Sequence, residues 1–307
     1  MGQSQSQTND VALAFVFFNP SRSKRMLMNY LYTLNRLHAY PCYTLELIFE
    51  EREPEIPASR NVFHVRSKSY MFHKERMCRV LETKIPKKYK KIVFMDADLF
   101  FSDPDWYTQM SMKLNTHDVV QGFEMAHWLD LTYKNVMLSR ESAVKSTKPV
   151  YSHKYHPGFI WGFRRDWYQK IGFFDWAVSG SGDTLAVAAW MKQTFDKDFN
   201  SLPLSMKESY KNFCTMKKPR ISYLEDIHIF HLYHGSRANR QYVDRHKIMN
   251  IEKDIQALLR VNKDGMFEWK DGQRWNSHFL RYFNSRTDDG VEIVHGANID
   301  ALLGVRS

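Results

Sequence analysis

Cysteine is scarce in this sequence, and its spacing excludes several kinds of site. The 307 residues include three cysteines, Cys42, Cys78 and Cys214, which lie far apart along the chain. No two of them form the Cys-x-x-Cys pair that a zinc knuckle or a dithiol redox site requires. The pattern therefore disfavours both sites and favours a reducing compartment.

Long hydrophobic runs are also missing. No stretch approaches the roughly 20 apolar residues that a membrane-spanning helix needs. The apolar run Val11–Phe18 has no basic segment before it and no small-residue cleavage site after it, so we expect no signal peptide. The sequence predicts a soluble, cytoplasmic protein.

The first residues, 1–10, are expected to form a polar, flexible leader. Residues 1–6 fit the pattern for N-myristoylation on Gly2, and an unmodified leader is the alternative. A single myristoyl chain binds membranes only weakly, and no basic cluster assists it here. Any membrane association through Gly2 is therefore expected to be peripheral.

The charge balance is basic, with a formal net charge of +10. Such a surplus favours anionic partners, which include nucleic acids, membrane surfaces and phosphate-bearing ligands. The basic residues are dispersed along the chain, and no motif of a nucleic-acid-binding module is present. We therefore expect no nucleic-acid partner, and keep a non-enzymatic nucleic-acid binder as one alternative.

Apolar runs and helical spacing alternate in the first third of the chain. Strands are predicted over Val11–Phe18, 43–50, 61–66 and 92–95, and helices over 24–38, with Ser21 as a possible cap, and 72–84. This order predicts an α/β fold with a mostly parallel, doubly wound central sheet flanked by helices.

The rest of the chain is less regular. Further strands are predicted over 117–124, 159–164 and 227–233. Further helices are predicted over 166–171, from the loop at 180–183 to 193, and over 243–259. Residues 127–155 are expected to form irregular loops on the acceptor side. The simplest organisation is one domain over 11–250, with a helical or irregular extension over 251–307.

An acidic pair follows the fourth predicted strand directly. Asp96 and Asp98 come after four apolar residues, and ligands of open α/β sheets bind beyond the carboxyl ends of the strands. Two carboxylates at such a turn hold a divalent ion such as Mn²⁺ or Mg²⁺, which then contacts diphosphate oxygens. The alternative is that Asp98 or Asp103 only caps a helix.

These motifs resemble a known family. The strand Val11–Phe18, the strand at 92–95 and the sequence Asp96-Ala97-Asp98 resemble the core of the GT-A-type glycosyltransferases, which carry an Asp-x-Asp motif. The resemblance covers about residues 11–250. It implies a metal-dependent enzyme that moves a sugar from a nucleoside-diphosphate sugar, expected to be a UDP-sugar, to a hydroxyl of a glycan acceptor.

Two later segments extend the resemblance. The sequence at 172–175, followed by 180–183, is similar to the C-terminal segment of galactosyltransferase-like members. The sequence at 231–235, with Arg237, Arg240 and Tyr242 beyond it, resembles related proteins from large viruses and bacteria. Neither segment identifies the sugar.

The resemblance implies the metal ligands. Asp98 binds the ion directly, and Asp96 contacts the ribose, the ion or both. A late histidine supplies the third ligand, for which His234 is the first choice and His228 and His231 are alternatives. Strand alternation places His228 and His234 on one face and His231 on the other, so all three are not expected to serve one ion.

The same resemblance makes Asp183 the candidate general base, which takes the proton of the acceptor hydroxyl. Its predicted place at a helix start gives it a competing role as a cap. Thr184 follows Asp183, where galactosyltransferase-like members commonly carry a second acidic residue. Whether the reaction inverts or retains the anomeric configuration therefore stays open.

Further residues are expected to contact the two substrates. Arg237, Arg240, Lys74 and Arg79 are candidate cations for the donor diphosphate. The other donor-site candidates are Asn19, Ser21, Arg22, Ala97 and Gly235. The acceptor-site candidates, besides Asp183, are His156, Gly158, Trp161 and Trp176, with core packing as the alternative for either tryptophan.

A haloacid-dehalogenase-type phosphohydrolase is the remaining alternative, because it also has an Asp-x-Asp motif after a buried strand. Its motif normally continues with a small residue and then Thr or Val, whereas Leu99, Phe100 and Phe101 follow here.

Overall fold

The computed structural model describes residues 10–146, 155–191, 202–235, 244–247 and 249–290. The strands are β1 (Val11–Phe18), β2 (Cys42–Phe49), β3 (Val62–Ser67), β4 (Lys91–Met95), β5 (Leu99–Phe101), β6 (Val119–Gln121), β7 (Met125–Leu129), β8 (Val136–Ser142), β9 (Tyr155–His156), β10 (Ile160–Arg164), β11 (Ile221–Tyr223), β12 (His228–His231), β13 (Leu259–Val261) and β14 (Phe267–Trp269). The helices are α1 (Lys24–Arg36), α2 (Lys74–Lys84), α3 (Trp106–Lys113), α4 (Arg165–Lys170), α5 (Gly182–Met191), α6 (Leu204–Cys214), α7 (Asp244–Lys247), α8 (Ile255–Leu258) and α9 (Gly272–Asn284).

Seven strands form the central sheet, in the order β11-β6-β10-β4-β1-β2-β3. Strand β10 runs antiparallel to both of its neighbours, and the other neighbouring pairs are parallel. The interior position of β1 and β4 explains their unbroken apolar sequences, because both faces of these strands are covered. The predicted α/β fold with a mostly parallel central sheet is confirmed.

A second, five-stranded sheet has the order β5-β12-β7-β8-β9. It contains β7 and β8, so the expectation that residues 127–155 form irregular loops is wrong. Strand β8 is largely solvent-exposed and carries polar residues on both faces, which removes the alternation that marks a half-buried strand.

Helix α1 begins at Lys24, as the sequence predicted, but a different serine caps it. Its N-cap is Ser23, whose hydroxyl accepts a hydrogen bond from the Met26 amide, and not Ser21. Asn19 explains the change of cap, because its side chain bonds both the amide and the carbonyl of Ser23 and so holds a turn between β1 and the helix. Ser21 lies within that turn.

The prediction of a single helix over 243–259 is wrong. The described part of this segment contains two short helices, α7 and α8, separated by a turn. Asp254 ends the intervening turn, because its carboxylate accepts from the Gln256 amide and from the Ser209 hydroxyl of α6. A local side-chain hydrogen bond of this kind competes with the helical pattern.

Residues after 250 contribute large side chains to the main core. Phe267 and Trp269 of β14 and Phe279 and Phe283 of α9 are almost fully buried, in the same cluster as side chains of β1, β2 and β4. The boundary at 250 stays a prediction. None of the described helices is long and apolar enough to cross a membrane.

Candidate active site

A cavity of about 1050 Å³ opens where β1 and β4 end. The central sheet, the second sheet, the start of α5 and the C-terminal residues all contribute to its walls. The polar side chains that line it include Lys74, Glu75, Asp96, Asp98, His156, Asp183, His231, His234, Arg245 and Arg286. Its volume suits a ligand at least as large as a typical cofactor or drug-sized molecule.

The Asp-x-Asp turn connects the two sheets. Strand β4 ends at Met95, and β5 begins at Leu99 and pairs antiparallel with β12. The Leu232 amide donates to the Asp98 carbonyl at 2.8 Å, which fixes the end of β12 against the turn. This contact brings His231 and His234 close to the Asp-x-Asp turn.

Asp98, His231 and His234 form a cluster that has the dimensions of a metal site. The Asp98 Oδ2 atom lies 3.4 Å from His231 Nε2 and 3.0 Å from His234 Nε2, and the two Nε2 atoms are 3.1 Å apart. An ion about 2.1 Å from each ligand separates neighbouring ligands by roughly 3.0 Å in octahedral geometry and roughly 3.4 Å in tetrahedral geometry. The three atoms therefore fit one divalent ion.

This cluster corrects the predicted placing of the histidines. His231 and His234 share one site, and His228 lies elsewhere, with its Nδ1 atom 3.1 Å from His127 Nε2. Strand alternation does not extend to His234, because β12 ends at His231 and the backbone between the two histidines does not follow strand geometry.

Asp98 carries two signs of an ion-binding role. Its Oδ1 atom is buried and has no hydrogen-bond partner among the described residues. Burial alone would raise the pKa of Asp98, but the charges and hydrogen bonds of His231 and His234 outweigh burial and hold that pKa well below its usual range. The carboxylate is therefore ionised and has a free oxygen, as a metal ligand requires.

Asp96 faces a different partner from Asp98. Its Oδ1 atom lies 2.5 Å from the Lys74 Nζ atom at the start of α2. Burial raises the pKa of Asp96, although Lys74 opposes the increase. Burial favours the neutral amine at Lys74, but the carboxylates of Asp96, Asp183 and Glu75 outweigh it and raise the Lys74 pKa. A cation is thus fixed beside the metal cluster.

Asp183 lies in the first turn of α5 and lines the cavity. Its Oδ1 atom accepts from the Thr184 amide at 2.7 Å, so the carboxylate has the predicted helix-terminal role. Its Oδ2 atom points at Gly158, where a Cβ atom would lie only 2.5 Å away. A side chain at position 158 would therefore displace the carboxylate.

Glu75 is a site residue that the sequence analysis missed. Its carboxyl group is buried beside Gly182, the residue before Asp183, and it lines the cavity. Burial raises its pKa to about 7, with Lys74 opposing the shift and Asp183 and Asp96 adding to it. The only sequence signal was its place next to Lys74, which does not distinguish it from a solvated helix residue.

Aromatic side chains surround His231. The Phe159 ring stacks on the imidazole with centroids 4.9 Å apart, and the Trp128 ring lies 6.0 Å away. Phe159 has a φ of +79°, a strained conformation for a bulky residue, and its carbonyl accepts from the Asp96 amide at 2.8 Å. This conformation ties the Asp-x-Asp turn to the aromatic wall.

Several predicted substrate contacts point away from the cavity. Arg79 pairs with Asp175 at 3.0 Å and donates to the carbonyls of Ile171 and Phe173. Asn19 and Ser21 form local and C-terminal contacts, and Arg22 is exposed. Within the described ranges, none of these four side chains lines the cavity.

The acceptor-site predictions divide in the same way. His156 lines the cavity and Gly158 borders Asp183, whereas Trp161 and Trp176 pack in the main core. The Trp161 indole donates to the Pro157 carbonyl, and Trp176 stacks on Phe267 with centroids 4.5 Å apart. Among the described residues, the tryptophan that lines the cavity is Trp128.

Of the remaining donor predictions, Ala97, His234 and Gly235 line the cavity. Arg237 and Arg240 lie outside the described residues, so their predicted role is untested. Arg286, which the sequence analysis did not consider, supplies a guanidinium group to the cavity wall.

No protein-family profile and no curated protein matches this chain. Among solved structures it is similar to Drosophila β1,4-galactosyltransferase 7 in complex with manganese, UDP-Gal and xylobiose, at 11% identity and a TM-score of 0.40, over 82% of this chain and 86% of that one. It is also similar to a protein from Desulfovibrio desulfuricans, described as a nucleotide-diphospho-sugar transferase, at 12% identity and a TM-score of 0.36, over 70% and 79% of the two chains. These scores are too low to support a function, which must rest on the site itself.

Proposed function

We propose that this chain is a metal-dependent glycosyltransferase that moves a sugar from a nucleoside-diphosphate sugar, a UDP-sugar, to a hydroxyl of a glycan acceptor. One observation carries the proposal: Asp98, His231 and His234 present a three-ligand site to a large cavity that also holds Lys74 and Asp183. The arrangement brings together residues that would hold a divalent ion, a fixed cation, and a carboxylate that would act as the base.

The ligand set favours Mn²⁺ over Mg²⁺. Two of the three ligand atoms are imidazole nitrogens, whereas Mg²⁺ prefers oxygen ligands and binds through carboxylates and water. When bound, the ion neutralises the negative charge that develops on the departing nucleoside diphosphate.

Asp183 would act as the general base, and Lys74 would stabilise the charge of the diphosphate. The acceptor oxygen attacks the anomeric carbon and loses its proton to the Asp183 carboxylate. The bond between that carbon and the diphosphate oxygen breaks, and its electron pair leaves with the diphosphate. Lys74, held by Asp96, keeps positive charge beside the cluster where the diphosphate would bind.

The cavity walls suggest where the two substrates lie. The donor nucleoside fits near the end of β1, where Phe18, Met26, Asn29 and Tyr233 form the wall, with Arg286 as a cation for phosphate. The acceptor fits between Trp128, His156 and Asp183, which also line the cavity, because aromatic faces stack well on sugar rings.

A screen of nucleotide sugars with and without Mn²⁺ tests the proposal. The full chain should be stabilised against heat by one nucleotide sugar only when Mn²⁺ is present, because a ligand that binds the folded state alone raises its stability. Asp98→Ala should abolish this stabilisation and the transfer of sugar to glycan acceptors. Asp166→Ala removes an exposed carboxylate and should change neither.

Two outcomes would contradict the proposal. One is donor binding by Asp98→Ala at the wild-type level. The other is phosphate release through an aspartyl-phosphate, trapped as a beryllofluoride adduct, without sugar transfer.

A further inference from the structure

A second carboxylate approaches the metal cluster from the C-terminal part of the chain. Asp288 follows α9 and is buried, with 5% of its surface exposed. Its Oδ1 atom lies 3.9 Å from the Nδ1 atom of His234, whereas the Nε2 atom of the same ring faces Asp98 and His231. The imidazole of His234 therefore lies between two carboxylates.

Asp288 is held firmly in this position. The Nε and Nη2 atoms of Arg286 lie 3.2 Å and 3.1 Å from its Oδ1 atom. On the other side, the Ser21 hydroxyl donates to its Oδ2 atom at 3.4 Å. Both partners anchor the carboxylate, so its place beside His234 is built into the packing.

The backbone next to His234 is shaped to admit this segment. Gly235 has a φ of +87°, and a Cβ atom there would lie 2.9 Å from the Thr287 carbonyl oxygen and 3.0 Å from the Asp288 Cα atom. Only glycine permits this approach, because the left-handed conformation and the contact both exclude a side chain. The two segments thus meet backbone to backbone at the metal cluster.

We propose that Asp288 is a positioning residue for the metal site, which orients the imidazole of His234 by accepting a hydrogen bond from its Nδ1 atom. With the proton on Nδ1, the lone pair of Nε2 would be free to bind an ion held by Asp98, His231 and His234. Such carboxylate–histidine pairs fix the tautomer and ring orientation of metal ligands and raise their basicity. The 3.9 Å separation in the structure is longer than a hydrogen bond, so the proposal requires the two atoms to approach by about 1 Å.

This inference rests on the metal site of the proposed function and extends it in one respect. Asp288, which lies more than 50 positions beyond His234, becomes part of the metal centre. The C-terminal residues thereby gain a role in metal affinity. In this role Asp288 acts on the ion through His234, so its effect should be on metal binding and ring orientation.

Asp289 provides a matched control. It is the next residue along the chain, but its carboxylate accepts from the Ser23 hydroxyl at 2.7 Å and from the Arg25 amide at 2.9 Å. It therefore stabilises the start of α1 and not His234. Removing it should lower thermal stability and leave metal binding unchanged.

The test is a titration of the full chain with Mn²⁺ alone, with free Mn²⁺ followed by electron paramagnetic resonance. Asp288→Ala should weaken Mn²⁺ binding about 10-fold to 100-fold, the usual effect of losing such a partner. Asp288→Asn, which keeps the shape and an acceptor oxygen but loses the charge, should weaken it less and guards against a folding defect. Asp289→Ala should bind within about two-fold of the wild type.

Nitrogen-15 spectra of the metal-free protein supply an independent reading. The wild type should show His234 protonated on Nδ1, and Asp288→Ala should shift that tautomer balance, which a purely structural role would not do. Wild-type affinity in Asp288→Ala, or an equal loss in Asp289→Ala, would overturn the inference while leaving the metal site in place. Failure of the wild-type chain to bind Mn²⁺ would instead overturn the metal site and this inference together.

Discussion

Asp183 combines a structural role with the chemical role proposed for it, and the two can be separated. Its Oδ1 atom accepts from the Thr184 amide, which an asparagine could also do, while a proton can be taken only by a carboxylate. The other oxygen faces the space above Gly158. A substitution by asparagine therefore isolates the base.

We expect Asp183→Asn to keep donor binding and stability and to lower kcat by 10²-fold to 10⁴-fold, the usual contribution of a general base. Steady-state kinetics, together with calorimetric titration of the donor, provides the measurement. Transfer by this variant at the wild-type rate would remove Asp183 from the mechanism.

Glu75 makes the stability of the protein depend on pH. Its pKa is raised to about 7 in the folded state, so the folded chain holds a proton that the unfolded chain releases above about pH 4.5. Because the folded state binds more protons in this range, stability is greatest below the unfolded pKa and falls as the pH rises towards 7.

Between pH 5 and pH 8, the wild type should therefore lose about 2 kcal/mol more of its free energy of unfolding than Glu75→Gln does. Glutamine keeps the size of the side chain and cannot ionise. Urea denaturation of both proteins at the two pH values measures the difference. Parallel losses in the two proteins would show that Glu75 titrates normally.

Among individual residues, the sequence predicted the site residues that lie just after a strand or at the start of a helix. Asp98 and His234 belong to the metal cluster, and Asp183 lines the cavity. His231 was assigned to the wrong face because the end of β12 leaves no mark in the sequence. Glu75 was missed because its burial depends on packing between α2 and α5.

At the level of elements, helix α5 begins in contact with α2. A Cβ atom on Gly182 would lie 2.5 Å from the Glu75 Oε1 atom and closer still to its carboxyl carbon. The absence of a side chain at Gly182 therefore sets the distance between the two helices and, with it, the position of Asp183 beside Lys74.

Gly182→Ala should consequently destabilise the protein by about 1–3 kcal/mol, the usual cost of overpacking a buried contact. Gly272→Ala, at the first position of α9, is the control, because nothing lies within 4 Å of the added Cβ atom. It should change stability by less than about 1 kcal/mol. Equal unfolding midpoints for the two variants in guanidinium would contradict the tight contact.

The elements that could be predicted were those with a single dominant pattern. Strands β1 and β4 are apolar because both of their faces are covered, and α1 and α2 follow helical spacing. Strands β7 and β8 were not recognised because β8 is exposed and mixed in polarity. The helix expected over 243–259 was interrupted by side-chain hydrogen bonds of Asp254, which no periodicity reveals.

Across the whole molecule, the site is assembled from distant parts of the chain. The Asp-x-Asp turn, the end of β12 and the residues after α9 meet at one corner of the cavity. Contacts such as that between Asp288 and His234 depend on the path of the backbone between them. Such contacts could not be predicted from the local sequence, because it indicates where helices and strands lie along the chain but not which of them come into contact.

The central claim is that Asp98, His231 and His234 hold a divalent ion that contacts the donor diphosphate. Crystals grown with Mn²⁺ and UDP, with diffraction measured at the manganese absorption edge, test it most directly. We predict one anomalous peak about 2.1–2.3 Å from one oxygen of Asp98 and from the Nε2 atoms of both histidines, in contact with phosphate oxygens of UDP. A peak elsewhere in the cavity, or UDP bound with no peak between these three residues, would contradict the account.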